Sequence, residues 1–77
     1  MNNVFLHTRS PGKMDWVNTP RQFLRLPVVG EFVTTDSTSD WYKVELVVHC
    51  AFEADFAAEV YAVKADHLQV IREACRG

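Results

Sequence analysis

The sequence has few of the residues and runs that mark several large classes of protein. Its two cysteines, Cys50 and Cys75, have no CxxC or HxxxH neighbour, so neither a zinc-binding pattern nor a disulfide framework is present. No apolar run approaches the roughly 18 residues of a membrane helix. The first residues lack the positive region and apolar core of a signal peptide. We therefore expect a soluble, cytoplasmic protein with reduced thiols and no membrane contact.

The chain is also too short for a two-domain enzyme. Its 77 residues predict one domain, and an apolar content of 48% predicts that this domain folds. A domain of this size buries only roughly 60% of its unfolded surface, so its core is thin. An uncovered apolar face then favours self-association, and we expect a homo-oligomer, most simply a dimer.

The net charge of −2 conceals two segments of opposite sign. Residues 1–30 carry four basic side chains and one acidic one, whereas residues 31–77 carry four basic and nine acidic ones. A basic segment either seeks an acidic partner or folds against the acidic surface of its own chain, and we favour the second interpretation. The basic residues of the first segment are Arg9, Lys13, Arg21 and Arg25.

Strand patterns dominate the chain. Residues 4–8 predict a short strand or an ordered arm, and residues 31–35 predict a strand that a polar loop over residues 36–40 joins to the next. Thr19 followed by Pro20 predicts the start of a single helical turn. Trp41–His49 alternates like a half-buried strand long enough to twist or bend strongly.

A second long strand over residues 57–64 is apolar on both faces. That pattern is typical of a central strand, or of one whose outer side meets a helix or a second subunit. In a dimer, we expect the outer sides of the two long strands to be buried between subunits. The residues predicted for this self-association surface are Trp41, Val47, Tyr61 and Val63.

The last predicted element is a helix over residues 66–76. Asp66 is its expected N-cap, and Leu68, Ile71 and Cys75 share one stripe. A helix of this length is marginal alone, so we expect the stripe to dock on the sheet. The predicted fold class is α+β, mainly β: a small, strongly curved antiparallel sheet over residues 26–65 with this C-terminal helix. Residues 1–25 are predicted to form a basic arm and connector.

The loop over residues 50–56 is one candidate binding site. Phe52 and Phe56 flank the acids Glu53 and Asp55. The two rings either contact a protein partner with the acids at the rim, or fold back to plug the end of the core. We favour the plug.

Histidine and cysteine at His7, His49, Cys50 and His67 raise the alternative of a small metal-binding or enzymatic protein. The spacing does not support it. His49 and Cys50 are adjacent on a strand and so point to opposite faces, which prevents them from chelating one ion or acting as a nucleophile and base pair. We assign no catalytic residue, no metal site and no cofactor.

Nucleic-acid binding is a further alternative. The four basic residues of the N-terminal segment are interleaved with Phe5, Trp16 and Phe23, as in platforms where rings stack on bases and cations follow phosphates. Because the isoelectric point is near 5.8, the overall field repels a polyanion, and we rank this interpretation below protein binding.

Residues 26–33, together with residues 41–44 and 47–49, carry a strand-and-turn pattern with a resemblance to known proteins. The pattern resembles that of uncharacterised small bacterial proteins with an SH3-like curled sheet, of the kind carried on mobile elements such as integron gene cassettes or phages. The resemblance covers residues 26–65 and implies an SH3-like partial barrel, but assigns no functional residues. Such barrels commonly act as recognition modules. We predict a non-enzymatic accessory module that binds protein and self-associates.

Overall fold

The computed structural model describes residues 1–37 and 40–76, which contain five strands and one helix. They form one curled sheet in the order β2-β1-β5-β4-β3. Every neighbouring pair is antiparallel except β1 and β5, which are parallel. The elements are β1 (Asn2–Arg9), β2 (Val17–Phe23), β3 (Phe32–Thr34), β4 (Trp41–His49), β5 (Ala58–Ala65) and α1 (His67–Ala74).

The mainly β fold with one short C-terminal helix is confirmed, but the prediction of a purely antiparallel sheet is wrong. Short connections make β1–β2 and β3–β4–β5 antiparallel, because a tight turn reverses the chain. β1 and β5 are separated by most of the sequence, so no short turn determines their relative direction. Two residues of the predicted 36–40 loop, Thr38 and Ser39, lie outside the described residues.

The N-terminal segment belongs to the sheet, where the sequence predicted an arm and connector. β1 is paired on both sides, with β2 and β5. Thr19 pairs with Leu6 and Pro20 with Phe5, so the predicted helical turn after Thr19 is wrong. Pro20 lies on an edge strand, the position in a sheet where proline is tolerated.

The core lies on the inner face of the sheet, which we define by the fully buried Val4, Leu6, Val44, Val60 and Ala62. Partly buried side chains from β2, β4 and the β2–β3 loop pack against it. Among the described residues, seven hydrophobic side chains are buried, so the core is thin.

An ion pair organises the β2–β3 loop that covers this core. The Arg25 guanidinium donates to both carboxylate oxygens of Glu31, with Nη1 2.9 Å from Oε1. The backbone N–H of Val28 donates to the same Oε1 at 2.8 Å. The hydrogen bond from Arg25, followed by the one from Val28, lowers the pKa of Glu31 to about 2. These contacts, which we call the Arg25–Glu31 clasp, hold together the loop from which Leu26 packs against the core.

A bulge in β4 changes which side chains face the core. The register shifts between Val44 and Leu46, and Glu45 is the extra residue. Beyond it, Val47 packs against the core, whereas Leu46 and Val48 are 51% and 43% exposed. The uninterrupted alternation in the sequence predicted the opposite, so the placement of Val47 on the self-association surface is wrong.

The N-cap of α1 is confirmed, since the Asp66 carboxylate accepts from the backbone N–H groups of Leu68 and Gln69 at 3.1 and 3.3 Å. The predicted docking is not found within the chain. No residue of α1 is buried, and Leu68 is 60% exposed. The ring of His67, 5.6 Å from that of Trp41, is a point of contact with the sheet.

Candidate interaction surface

The side of the sheet opposite the core carries a second set of side chains, which we call the outer face. The strand register places them together, because residues opposite each other on neighbouring strands point to the same side. The outer face consists of Phe5, His7 and Arg9 on β1, Glu59, Tyr61 and Val63 on β5, Trp41, Lys43, Leu46 and Val48 on β4, and Phe32 and Thr34 on β3.

The centre of the outer face is a continuous line of rings, which we call the aromatic row. It consists of Phe56, Phe5, His7, Tyr61 and Trp16. Neighbouring centroids along the row are 4.9, 4.7, 4.4 and 5.3 Å apart, in stacked and edge-to-face arrangements. These separations lie in or close to the range in which aromatic pairs attract beyond simple burial. The row arises because β1 and β5, which supply three of the rings, are adjacent at the centre of the sheet.

His7 holds this row in place. It is 7% exposed, and both of its ring nitrogens have oxygen partners. Nδ1 lies 2.5 Å from Oδ1 of Asn18, and Nε2 lies 3.0 Å from Oε1 of Glu59. Because these contacts occupy both nitrogens, neither is free to bind a metal or to activate a nucleophile. His7 is therefore a positioning residue for the ring of Tyr61.

The other histidine and cysteine residues of the metal-binding or enzymatic alternative lie elsewhere. His49 is exposed, Cys50 is half-buried, and His67 contacts Trp41. Across residues 1–37 and 40–76, no group of three or more His, Cys, Asp or Glu side chains could hold a metal ion.

Apolar and charged side chains flank the aromatic row. Phe32 is 39% exposed, and Leu46 and Val48 are more exposed still. The Arg9 guanidinium lies 5.1 Å from the ring centroid of Trp16, a cation–π contact, and donates to the carbonyl oxygen of Lys13 at 2.8 Å. A shallow groove on this side is lined by Arg9, Trp16, Glu45, Leu46, Tyr61 and Val63.

Three of the four residues predicted for self-association lie on the outer face. Trp41, Tyr61 and Val63 are half-buried there, and Val47 packs against the core instead. Sequence reasoning missed Leu46 and Val48 because of the bulge. It also missed the aromatic row, which depends on β1 lying beside β5, a pairing without a local signal.

The loop over residues 50–56 does not plug the core. Phe52 is 73% exposed, and Phe56 stacks on Phe5 at the outer face. Glu53 and Asp55 are exposed between them. The interpretation favoured from the sequence is therefore wrong, and Phe52 is accessible to a partner.

The four basic residues of the N-terminal segment are divided between two places. Arg9 and Lys13 meet at the β1–β2 turn beside Trp16. Arg21 and Arg25 line a separate cleft between the edge strands β2 and β3, where Arg25 is paired with Glu31. They do not form one basic patch.

Comparisons with protein families, with characterised proteins and with solved structures found no match to this chain. Within the part of the chain that the structure describes, no helix has the length and apolar character needed to cross a membrane.

Proposed function

We propose that this protein is a small non-enzymatic binding module that self-associates through the outer face of its sheet. One observation carries the proposal: the outer face exposes the apolar side chains of Phe32, Leu46 and Val48 beside a row of rings. Exposed apolar patches of this kind mark interaction sites on soluble domains.

The accessible surface area of the chain is larger than expected for a compact monomer, which supports an interface that a partner would cover. Its accessible surface is 5593 Å², whereas a compact monomer of this mass exposes about 4,800 Å². The excess of about 800 Å² is close to the area that each partner contributes to a standard-sized protein interface.

The chemistry of the outer face also favours a protein partner. Trp, Tyr, Phe and Arg are enriched at the centres of protein interfaces, where rigid rings contribute area at little entropic cost. Tyr61 and Trp16 lie at one end of the aromatic row next to Arg9. The charged Lys43 and Glu45 lie beside the row, as at a polar rim.

Light scattering on matched variants tests the proposal. Leu46→Lys places a charge on the outer face, whereas Leu24→Lys makes the same change at a residue 87% exposed in the β2–β3 loop. We expect the wild type and Leu24→Lys to be dimers at micromolar concentration and Leu46→Lys to be a folded monomer, whose melting temperature is lowered only by the lost contribution of association. Equal masses for the two variants would refute the role of the outer face.

A second protein could be recognised at the loop over residues 50–56, where Phe52, Glu53 and Asp55 are exposed. The SH3-like resemblance supports a recognition role by analogy of fold alone. The SH3-like relationship, the mobile-element origin and the cytoplasmic location stay predictions.

Single-stranded nucleic acid is a second candidate ligand because Arg9, Trp16 and Tyr61 form one basic and aromatic cluster on the open side of the sheet. Glu59 beside His7 and the net charge of −2 weigh against it. Binding of a fluorescent oligonucleotide at low salt, lost in Trp16→Ala, would support this candidate. Absence of salt-sensitive binding would remove it.

A further inference from the structure

The helix α1 is a second uncovered apolar surface. Its stripe consists of Leu68, Ile71 and Cys75, and the first two are 60% and 42% exposed. An isolated helix of eight residues is marginal in water, because helical stability in proteins comes mostly from packing an amphipathic face. The Asp66 cap organises the first turn but covers none of the stripe.

α1 contacts its own outer face at its first residue, where the ring of His67 lies 5.6 Å from that of Trp41, but no residue of the helix is buried there. Asp66 alone separates β5 from α1, so little chain is available to fold the helix back along the strand. The radius of gyration is 13.1 Å, whereas a compact chain of this length has about 11.5 Å. The molecule is therefore more extended than a compact domain, as expected if the helix is not packed back on the sheet.

The orientation of α1 leaves its stripe free. At about 100° per residue, Leu68, Ile71 and Cys75 fall within an arc of about 60°, Val70 lies about 130° from the centre of this arc, and His67 lies about 40° from Ile71. Val70 and His67 are the half-buried residues of the helix, and His67 faces Trp41. The sheet-facing side of α1 thus borders the stripe at Ile71, whereas Leu68 lies about 100° from His67, and both stripe residues keep a large exposed area.

We propose that in the dimer each α1 packs its stripe on the outer face of the other chain, so that two copies exchange helices reciprocally. A helix layered on a sheet is a stable way to bury both apolar surfaces. A two-fold axis allows each copy to supply one helix and one sheet face. Leu68 and Ile71 match the exposed Leu46 and Val48 in chemistry. This inference rests on the proposed self-association and names the element that covers the outer face.

Sedimentation of two helix variants separates the inference from the proposed function. Ile71→Lys charges the stripe, and Gln69→Lys makes the same charge gain on another side of the helix. We expect Ile71→Lys to weaken the dimer at least about tenfold and Gln69→Lys less than about twofold. A dimer that tolerates Ile71→Lys but not Leu46→Lys would overturn helix exchange and leave the proposed function standing. A monomeric wild type would overturn both.

Disulfide trapping gives the geometry directly, because Cys75 is a free, exposed thiol at the end of the stripe. In a Cys50→Ser, Val48→Cys variant, oxidation with diamide should give a covalent dimer. Peptide mapping should find the bond between positions 48 and 75 of different copies. Linkage restricted to 75–75 or to 48–48, or a 48–75 bond within one copy, would overturn the exchange.

Discussion

The two sides of the central strands β1 and β5 are both apolar, but they differ in residue type and burial. The inner face carries Val4, Leu6 and Val60, which are fully buried aliphatic side chains. The outer face carries Phe5 and Tyr61, whose rings are half-buried and contact other rings. This difference shows that the inner face forms the core, and it supports our proposal that the outer face is an association surface.

Truncating a side chain on the inner face should have the largest effect on stability. Leu6→Ala removes a fully buried side chain from a thin core and should cost about 2–5 kcal/mol of unfolding free energy. That is a large part of the total stability of a small domain. Urea denaturation measures the loss, and Leu46→Ala on the outer face is the control, with an expected cost below about 1 kcal/mol in the monomer. Similar losses of unfolding free energy for the two variants would contradict the conclusion that the inner face stabilises the fold more than the outer face does.

Removing one ring from the aromatic row should mainly weaken the association of the two chains. Tyr61→Ala removes a ring that contacts His7 and Trp16, and we expect the dimer dissociation constant to rise about tenfold or more. Thr34→Ala, at the edge of the outer face, should change it by less than about twofold. Fluorescence anisotropy of labelled protein over a dilution series measures both. A stronger dimer, or a larger effect from Thr34→Ala, would contradict this account.

Acid should loosen the clasp over the inner face. The pKa of Glu31 is lowered in the fold from 4.5 to about 2, so its stabilising contribution is present above pH 4.5 and is lost as the pH falls towards 2. Arg25 is exposed and Glu31 is only half-buried, so solvent screens the ion pair and we expect a modest dependence of melting temperature on pH. Melting temperatures between pH 6 and 2 should fall less steeply for Glu31→Gln than for the wild type. Parallel profiles would show that the ion pair does not stabilise the loop.

Removing the most exposed ring should have the smallest effect. Phe52 is 73% exposed, so Phe52→Ser should change stability by less than about 0.5 kcal/mol and leave the dimer intact. Differential scanning fluorimetry and light scattering measure the two quantities. A large fall in melting temperature would show that Phe52 packs on the core after all. An unchanged protein that no longer captures a heterologous partner would identify the loop as a second binding surface.

Local patterns in the sequence predicted the elements whose residues decide their own conformation. The bounds of the strand Trp41–His49, the double-sided apolar pattern of β5 and the cap at Asp66 all agree with the structure. Each signal depends on residues a few positions apart. Three of the four residues predicted for self-association therefore lie on the outer face.

The errors occur where distant pairing determines the structure. Thr19 and Pro20 carry a local helix signal, but their pairing with β1 places them in a strand. Glu45 leaves the alternation of β4 unbroken in sequence, although its bulge turns Val47 inward. β1 and β5 are the first and the last strand in the sequence, so their contact, which forms the aromatic row, has no local signature.

Sedimentation equilibrium of the wild-type chain over a concentration series measures whether this protein self-associates. The outer face and the stripe of α1 are uncovered in one copy, so we expect a mass that rises with concentration to twice 8.8 kDa. A mass that remains at 8.8 kDa at every concentration up to the millimolar range would contradict it.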